Sequence, residues 1–193
     1  MKQPIKTIKE RLFDPAFNDQ AYLQALQADE RAGVQKLLQQ YEKQRMKHQL
    51  LQEKYEEMMR FENEAFQQGA RFIAGLDEVG RGPLAGPVVS AAVILPKECQ
   101  ILGLNDSKQL SAKKREELFI EIQNKAVAVG IGVVSPEEID RINIYQASRL
   151  AMKEALIDLA VKPEYLLIDA MTIDTEIPQQ SLIKGDADRK SVV

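Results

Sequence analysis

Four acidic residues stand at or near the ends of apolar runs, where carboxylates could hold a divalent cation. Asp77 and Glu78 close the run from Phe72 to Leu76, Asp169 closes Tyr165-Leu166-Leu167-Ile168, and Asp186 follows Lys184 and Gly185. An acid that ends a strand lies at the rim of its sheet, and open α/β sheets bind ligands at the carboxyl ends of their strands. Taken singly, each acid reads better as a cap for the next helix or turn. Taken together they would repel one another unless cations were present, and hard oxygen donors select Mg²⁺ or Mn²⁺. Adjacent strand residues point to opposite faces. Asp77 and Glu78 therefore reach one ion if the strand twists or bulges there, and otherwise serve different ions.

Directly after the first pair come Gly80, Arg81 and Gly82. The two glycines leave backbone N–H groups open to a phosphate or a sugar hydroxyl. The turn is no dinucleotide fingerprint, because Pro83, Gly86 and Pro87 follow where a helix would have to open. The loop Asn105-Asp106-Ser107-Lys108, with Lys113, Lys114 and Arg115 behind it, reads on charge pattern as a solvated, capped helix start; the functional alternative is a phosphate-contacting patch. His48 has no second ligand-type neighbour at helical spacing and is assigned no chemistry. No cysteine or serine stands beside a base as a nucleophile would.

The elements that position these residues fall into two units. Residues 1–70 hold 2 of the 10 glycines, 2 of the 8 prolines and twelve glutamines, whereas turn signals recur at short intervals in residues 71–193. In the first unit, Val34, Leu37, Leu38 and Tyr41, then Leu51, Tyr55, Met58 and Met59, predict one long amphipathic helix from about residue 30 to 67. Thr7 with Glu10 resembles a capping box, and Pro15 with Asn18 and Asp19 marks a turn before a second short helix. In the second unit, strands are expected over 72–78, 87–95 and 126–134, with a helix over 111–125. Ser135, Pro136 and Glu138 open a short helix, and a longer one spans 143–160. Its Ala147, Ala151 and Ala155 form a small-residue ridge that lets a helix lie close against a sheet. Strands at 165–170 and 180–184 complete an α/β or mixed-sheet domain.

Composition excludes several classes. With 26 basic and 29 acidic residues, a net charge of −3 leaves any polyanion to be met by a local patch. The lone Cys99 rules out an internal disulfide, and no apolar run approaches a membrane span, so a cytoplasmic protein is expected.

The run AGLDEVGRGPLAGPVVSAAVIL, the loop LNDSKQLSAKKREEL, the helix NIYQASRLAMKEAL, the strand LLIDAM and the element IKGDA resemble, in that order and spacing, the ribonuclease HII family. The resemblance implies an α/β ribonuclease H-like mixed sheet flanked by helices, preceded by an N-terminal helical extension (1–70) that aids substrate binding. It implies a metal-dependent endoribonuclease that cuts the RNA strand of RNA/DNA hybrids and ribonucleotides embedded in duplex DNA. Carried over, Asp77, Glu78, Asp169 and Asp186 are the catalytic, metal-binding carboxylates. Gly80, Arg81 and Gly82 read the 2′-hydroxyl, and Asn105, Ser107, Lys108 and Lys184 are further substrate contacts. The expected chemistry is hydrolysis with two Mn²⁺ or Mg²⁺ ions, giving 3′-hydroxyl and 5′-phosphate ends, with no membrane and no obligate protein partner. After Ala187 the resemblance is poor and the family's C-terminal region is not found. The catalytic domain (71–193) is thus expected to be incomplete at its C-terminus, and the alternative reading is a catalytically impaired, hybrid-binding fragment.

Overall fold

Pro4 stands before the first helix with φ −60° and cannot donate a backbone hydrogen bond, which suits it to a helix start. In the computed structural model, which describes residues 3–82, 85–105 and 107–182, α1 therefore begins at Ile5 and runs to Leu12 without a side-chain cap. The expected Thr7–Glu10 capping box is not formed, because Thr7 already lies inside the helix. The turn expected at Asp19 is present: its carboxylate accepts from Tyr22 N at 2.9 Å and caps α2 (Gln20–Gln27). Next comes α3 (Ala32–Met58). One contact unit ends at Glu53 and the next begins at Lys54. The core of the first gathers Ile8, Leu12, Leu23, Leu26, Val34 and Leu38, with Phe13 and Phe17 set edge-on to Tyr41. From Glu42 to Leu50, α3 is exposed all round, His48 included.

The single helix expected over 30–67 is interrupted at Met59, after which α4 (Arg60–Gln67) begins. Met58 packs with Ile101, Leu104, Leu118 and Ile122, whereas Ala65, with Phe61 and Phe66, packs against Ile73 and Leu167. One straight helix keeps a single apolar face. Serving two clusters requires the change of direction.

The second unit continues with β1 (Ile73–Val79), β2 (Val88–Ile94), a 3₁₀ turn (Ser107–Gln109), α5 (Ala112–Lys125), β3 (Ala128–Val134), α6 (Pro136–Ile142), α7 (Ile144–Asp158), β4 (Tyr165–Asp169) and β5 (Gln179–Leu182). Ser111 and Ser135 cap α5 and α6. The strands form a mixed sheet of order β3-β2-β1-β4-β5. Pairs β1–β2 and β2–β3 are antiparallel, and β1–β4 and β4–β5 are parallel. The alanine ridge of α7 lies on this sheet, with Ala147, Ala151, Met152 and Ala155 fully buried. The approach is so close that a Cβ at Gly130 would stand 2.1 Å from Ala155 O, and one at Gly132 2.0 Å from Ala151 O. Gly132→Ala must therefore push the helix backbone outward, and should lower the unfolding free energy by about 3 kcal/mol in urea titration; a midpoint equal to the parent's would contradict this packing. The same helix also covers the sheet edge. Asp158 and Glu154 carboxylates accept from the N–H groups of Ile131 and Val133 at 2.9 and 3.1 Å, which blunts an otherwise open edge strand.

Candidate functional site

Strands β1 and β4 run parallel, with Leu76 opposite Ile168 as the last aligned pair. Asp77 and Asp169 are the residues that directly follow this last pair. The expectation that Asp77 and Glu78 end their strand is corrected. β1 continues through Val79, paired to β2 without interruption from Ala74↔Ile94 to Val79↔Val89. The acids project from inside a strand because β2 supports it on one side after β4 has stopped on the other. β4 stops because Ala170, at φ 51°, takes a left-handed conformation uncommon for a residue with a Cβ, while Asp169 still pairs with Leu182 of β5. The fully buried Ser90 hydroxyl donates to Asp77 O at 2.6 Å and holds the β1 backbone at this point.

The unbroken register excludes a bulge as the means of uniting Asp77 with Glu78. The Asp77 carboxylate instead bends along the strand, where Oδ1 accepts from Glu78 N at 2.8 Å. The Glu78 side chain is 10% exposed, and Arg81 Nη1 donates to its Oε1 at 3.2 Å. Burial pushes the Glu78 carboxyl above its ordinary value of 4.5, the Arg81 guanidinium opposes the shift, and the negative charges of Asp77 and then Asp169 add to it. Asp77 and Asp169 thus both act on Glu78.

Gly80 and Gly82 turn out to differ. At φ 102°, Gly80 occupies left-handed backbone, and a Cβ there would lie 2.3 Å from Pro87 O. The Pro87 carbonyl stands where a side chain would go, so this position requires glycine. Among the described residues nothing lies within 4 Å of where a Cβ at Gly82 would stand, so a side chain there meets none of them.

In the loop that follows β2, Asn105 Oδ1 accepts from Lys54 Nζ at 2.8 Å. Arg115 donates to the carbonyls of Ser107 and Leu110, and Lys114 pairs with Glu117 at 3.5 Å. Two members of the basic run behind the loop are thus engaged in holding local structure, as the charge pattern suggested. Lys54 carried no signal in the sequence, being 51 positions from its partner. Lys184 and Asp186 lie outside the described residues.

Two family models match the chain: the ribonuclease HII N-terminal domain over residues 4–66 and ribonuclease HII over residues 74–191. The chain belongs to the ribonuclease HII family. It is 55% identical to ribonuclease HII of Enterococcus faecalis over 96% of this chain and 73% of the relative. It is 51% identical to ribonuclease HII of Bacillus cytotoxicus over 99% of this chain and 74% of the relative. It therefore spans about three quarters of the length of these relatives. Among solved structures, ribonuclease H2 from Pyrococcus horikoshii superimposes with a TM-score of 0.54 at 28% identity, covering 63% of this chain and 66% of that one. The mixed sheet with its flanking helices is the fold of this family. Among the described residues no helix is long and apolar enough to cross a membrane.

Ribonucleases HII are metal-dependent endoribonucleases, and the residues present fit a hard divalent cation. Glu78 Oε2 is buried with no hydrogen-bond partner among the described residues, an arrangement that costs free energy until a cation satisfies it. Asp77 and Asp169, whose charges reach Glu78, each carry a further carboxylate. Among the described residues the acids do not close into a three-ligand cage, and Glu78 is turned to Arg81. The raised Glu78 carboxyl sets the direction of two pH effects. Without metal, the fold holds this proton more tightly than the unfolded chain does. The group's contribution to stability is thus present below 4.5 and lost as pH rises through the folded value. A ligating carboxylate must be deprotonated, so Mn²⁺ affinity of the nucleic-acid-free protein should rise with pH over the same window. Proton release should be seen by calorimetry in buffers of different ionisation enthalpy. Affinity unchanged across that window would remove Glu78 from the ligand set.

Proposed function

We propose that this chain hydrolyses the RNA strand of RNA/DNA hybrids, and duplex DNA at embedded ribonucleotides, leaving 3′-hydroxyl and 5′-phosphate ends. The observation that supports the reading is that the charges of Asp77 and Asp169, which follow the last aligned pair of β1 and β4, act on the buried Glu78 carboxyl, in a chain whose relatives are ribonucleases HII. Asp77, Glu78, Asp169 and Asp186 are the proposed ligands of two divalent ions, Mn²⁺ or Mg²⁺. When bound, such ions supply a water deprotonated near neutral pH and charge to stabilise the leaving oxygen. The chain's own residues do the rest. The Asp77 carboxylate is oriented by Glu78 N–H, and Glu78 is kept in a poorly solvated position that favours a cation over bulk water. Gly80, Arg81 and Gly82 are the proposed readers of the ribose 2′-hydroxyl. Asn105, Ser107, Lys108 and Lys184 are the proposed contacts to the nucleic-acid backbone, which position without reading sequence. The N-terminal extension is proposed to aid binding, supported by exposed Lys43, Arg45 and Lys47 on the solvated stretch of α3.

The test is a duplex carrying one ribonucleotide, incubated with the protein in Mn²⁺ or Mg²⁺. Strand scission that stops in excess chelator is expected. Scission that survives chelation would overturn the metal-dependent reading, and duplex binding without scission in either ion would favour a binding module instead.

A further inference from the structure

Asn105 is held from two directions. Lys54 Nζ donates to its Oδ1 at 2.8 Å, and its Nδ2 donates to Gln109 Oε1 at 3.0 Å. Both ends of the amide are engaged, which sets its orientation. Lys54, Tyr55 and Met58 occupy positions i, i+1 and i+4 of the last turns of α3 and meet one stretch of chain. The Tyr55 hydroxyl donates to the Cys99 carbonyl, and Met58 packs with Ile101 and Leu104. The residues just before Asn105 are thereby seated on the helix. On the far side, Arg115 fixes the carbonyls of Ser107 and Leu110 at 3.2 and 2.8 Å. Lys54 and Asn105 are both half-buried. A lysine gives up much rotamer freedom to hold such a geometry, and the return is a defined side chain on the loop.

We propose that Lys54 is a positioning residue for substrate engagement, orienting Asn105 and holding the start of the loop in shape for a nucleic-acid backbone without touching a phosphate itself. This rests on the reading of Asn105 to Lys108 as a substrate-contacting segment. It gives the C-terminal turn of α3 a role that is geometric rather than electrostatic, and it accounts for a cation spent on a neutral amide.

The distinction between shaping the loop and contacting phosphate is measurable. Binding of a fluorescent duplex with one ribonucleotide is followed by anisotropy in excess chelator, so that turnover does not enter. Lys54→Met keeps the aliphatic stem and should weaken binding about tenfold, the scale of a lost hydrogen bond to a charged group. Its melting temperature should equal the parent's, and Lys54→Arg should restore most of the affinity. The dependence of binding on salt should keep its slope, whereas loss of a direct phosphate contact would reduce that slope by about 0.9. Asn105→Ala should weaken binding to a similar degree, and adding Lys54→Met to it should do nothing more. A reduced salt slope, additive effects, a lower melting temperature that accounts for the loss, or normal binding by Lys54→Met beside impaired Asn105→Ala would each overturn the assignment of Lys54. If Asn105→Ala itself binds normally, the loop is no substrate contact, and the fault lies in the reading beneath the proposal.

Discussion

Replacing Asp77 with asparagine is expected to abolish strand scission while leaving the fold intact or stabilised. Asp77 and Asp169 directly follow the last aligned pair of β1 and β4, and both raise the Glu78 carboxyl through repulsion. Removing one charge while keeping its shape relieves that repulsion when no metal is bound. An asparagine Oδ1 can still accept from Glu78 N, as the Asp77 oxygen does at 2.8 Å. The melting temperature in chelator should therefore match or exceed the parent's. Activity should fall by more than about a hundredfold, since groups that merely orient metal ligands already cost up to that much. Duplex affinity in chelator should change little, because this carboxylate makes no phosphate contact. A variant that unfolds, with its surviving fraction cleaving normally, would make Asp77 a structural cap.

The second large effect separates two glycines in one turn. Gly80→Ala introduces a side chain at φ 102° whose Cβ lies 2.3 Å from the Pro87 carbonyl oxygen. The left-handed strain and the backbone clash together should cost about 3 kcal/mol of stability. Gly82→Ala meets nothing within 4 Å among the described residues, so its denaturation curve should overlay the parent's. Its kcat/KM on a ribonucleotide-containing duplex should nevertheless drop by about a hundredfold if substrate lies against this backbone, because a displacement of about 1 Å costs that much in an oriented reaction. Equal kcat/KM in Gly82→Ala would show that no substrate approaches there. A stable, normally folded Gly80→Ala would contradict the turn geometry.

Much of the scaffold was legible from residue types because its signals are local. Ser111 and Ser135 announce the helices they cap, the Ala147, Ala151 and Ala155 spacing marks the close-packed face of α7, and the apolar run Tyr165 to Ile168 reads as a buried strand ended by Asp169. Local signals also misled. Thr7 and Glu10 have the spacing of a capping box, yet Pro4 starts the helix earlier. The apolar steps from Val34 to Met59 do lie on one helix up to Met58, yet its expected continuation to residue 67 is a separate helix that packs into another cluster.

The candidate site divides in the same way. Residue type and neighbourhood by themselves determined that Asp77, Glu78 and Asp169 are acids following apolar strand residues and that a glycine turn follows the first pair, since charge, hydropathy and backbone freedom belong to each residue wherever it sits. Tertiary structure alone decided that the β1–β4 pairing ends at Leu76 and Ile168 while β2 carries β1 onward, so that Asp77 and Asp169 directly follow the last pair. It likewise decided that Gly80 is required by the Pro87 carbonyl while Gly82 is open, and that Lys54 reaches Asn105 across 51 positions. Each depends on a contact between segments far apart in the chain, and the free energy of such a contact is set by the whole packed arrangement rather than by any stretch of neighbouring residues.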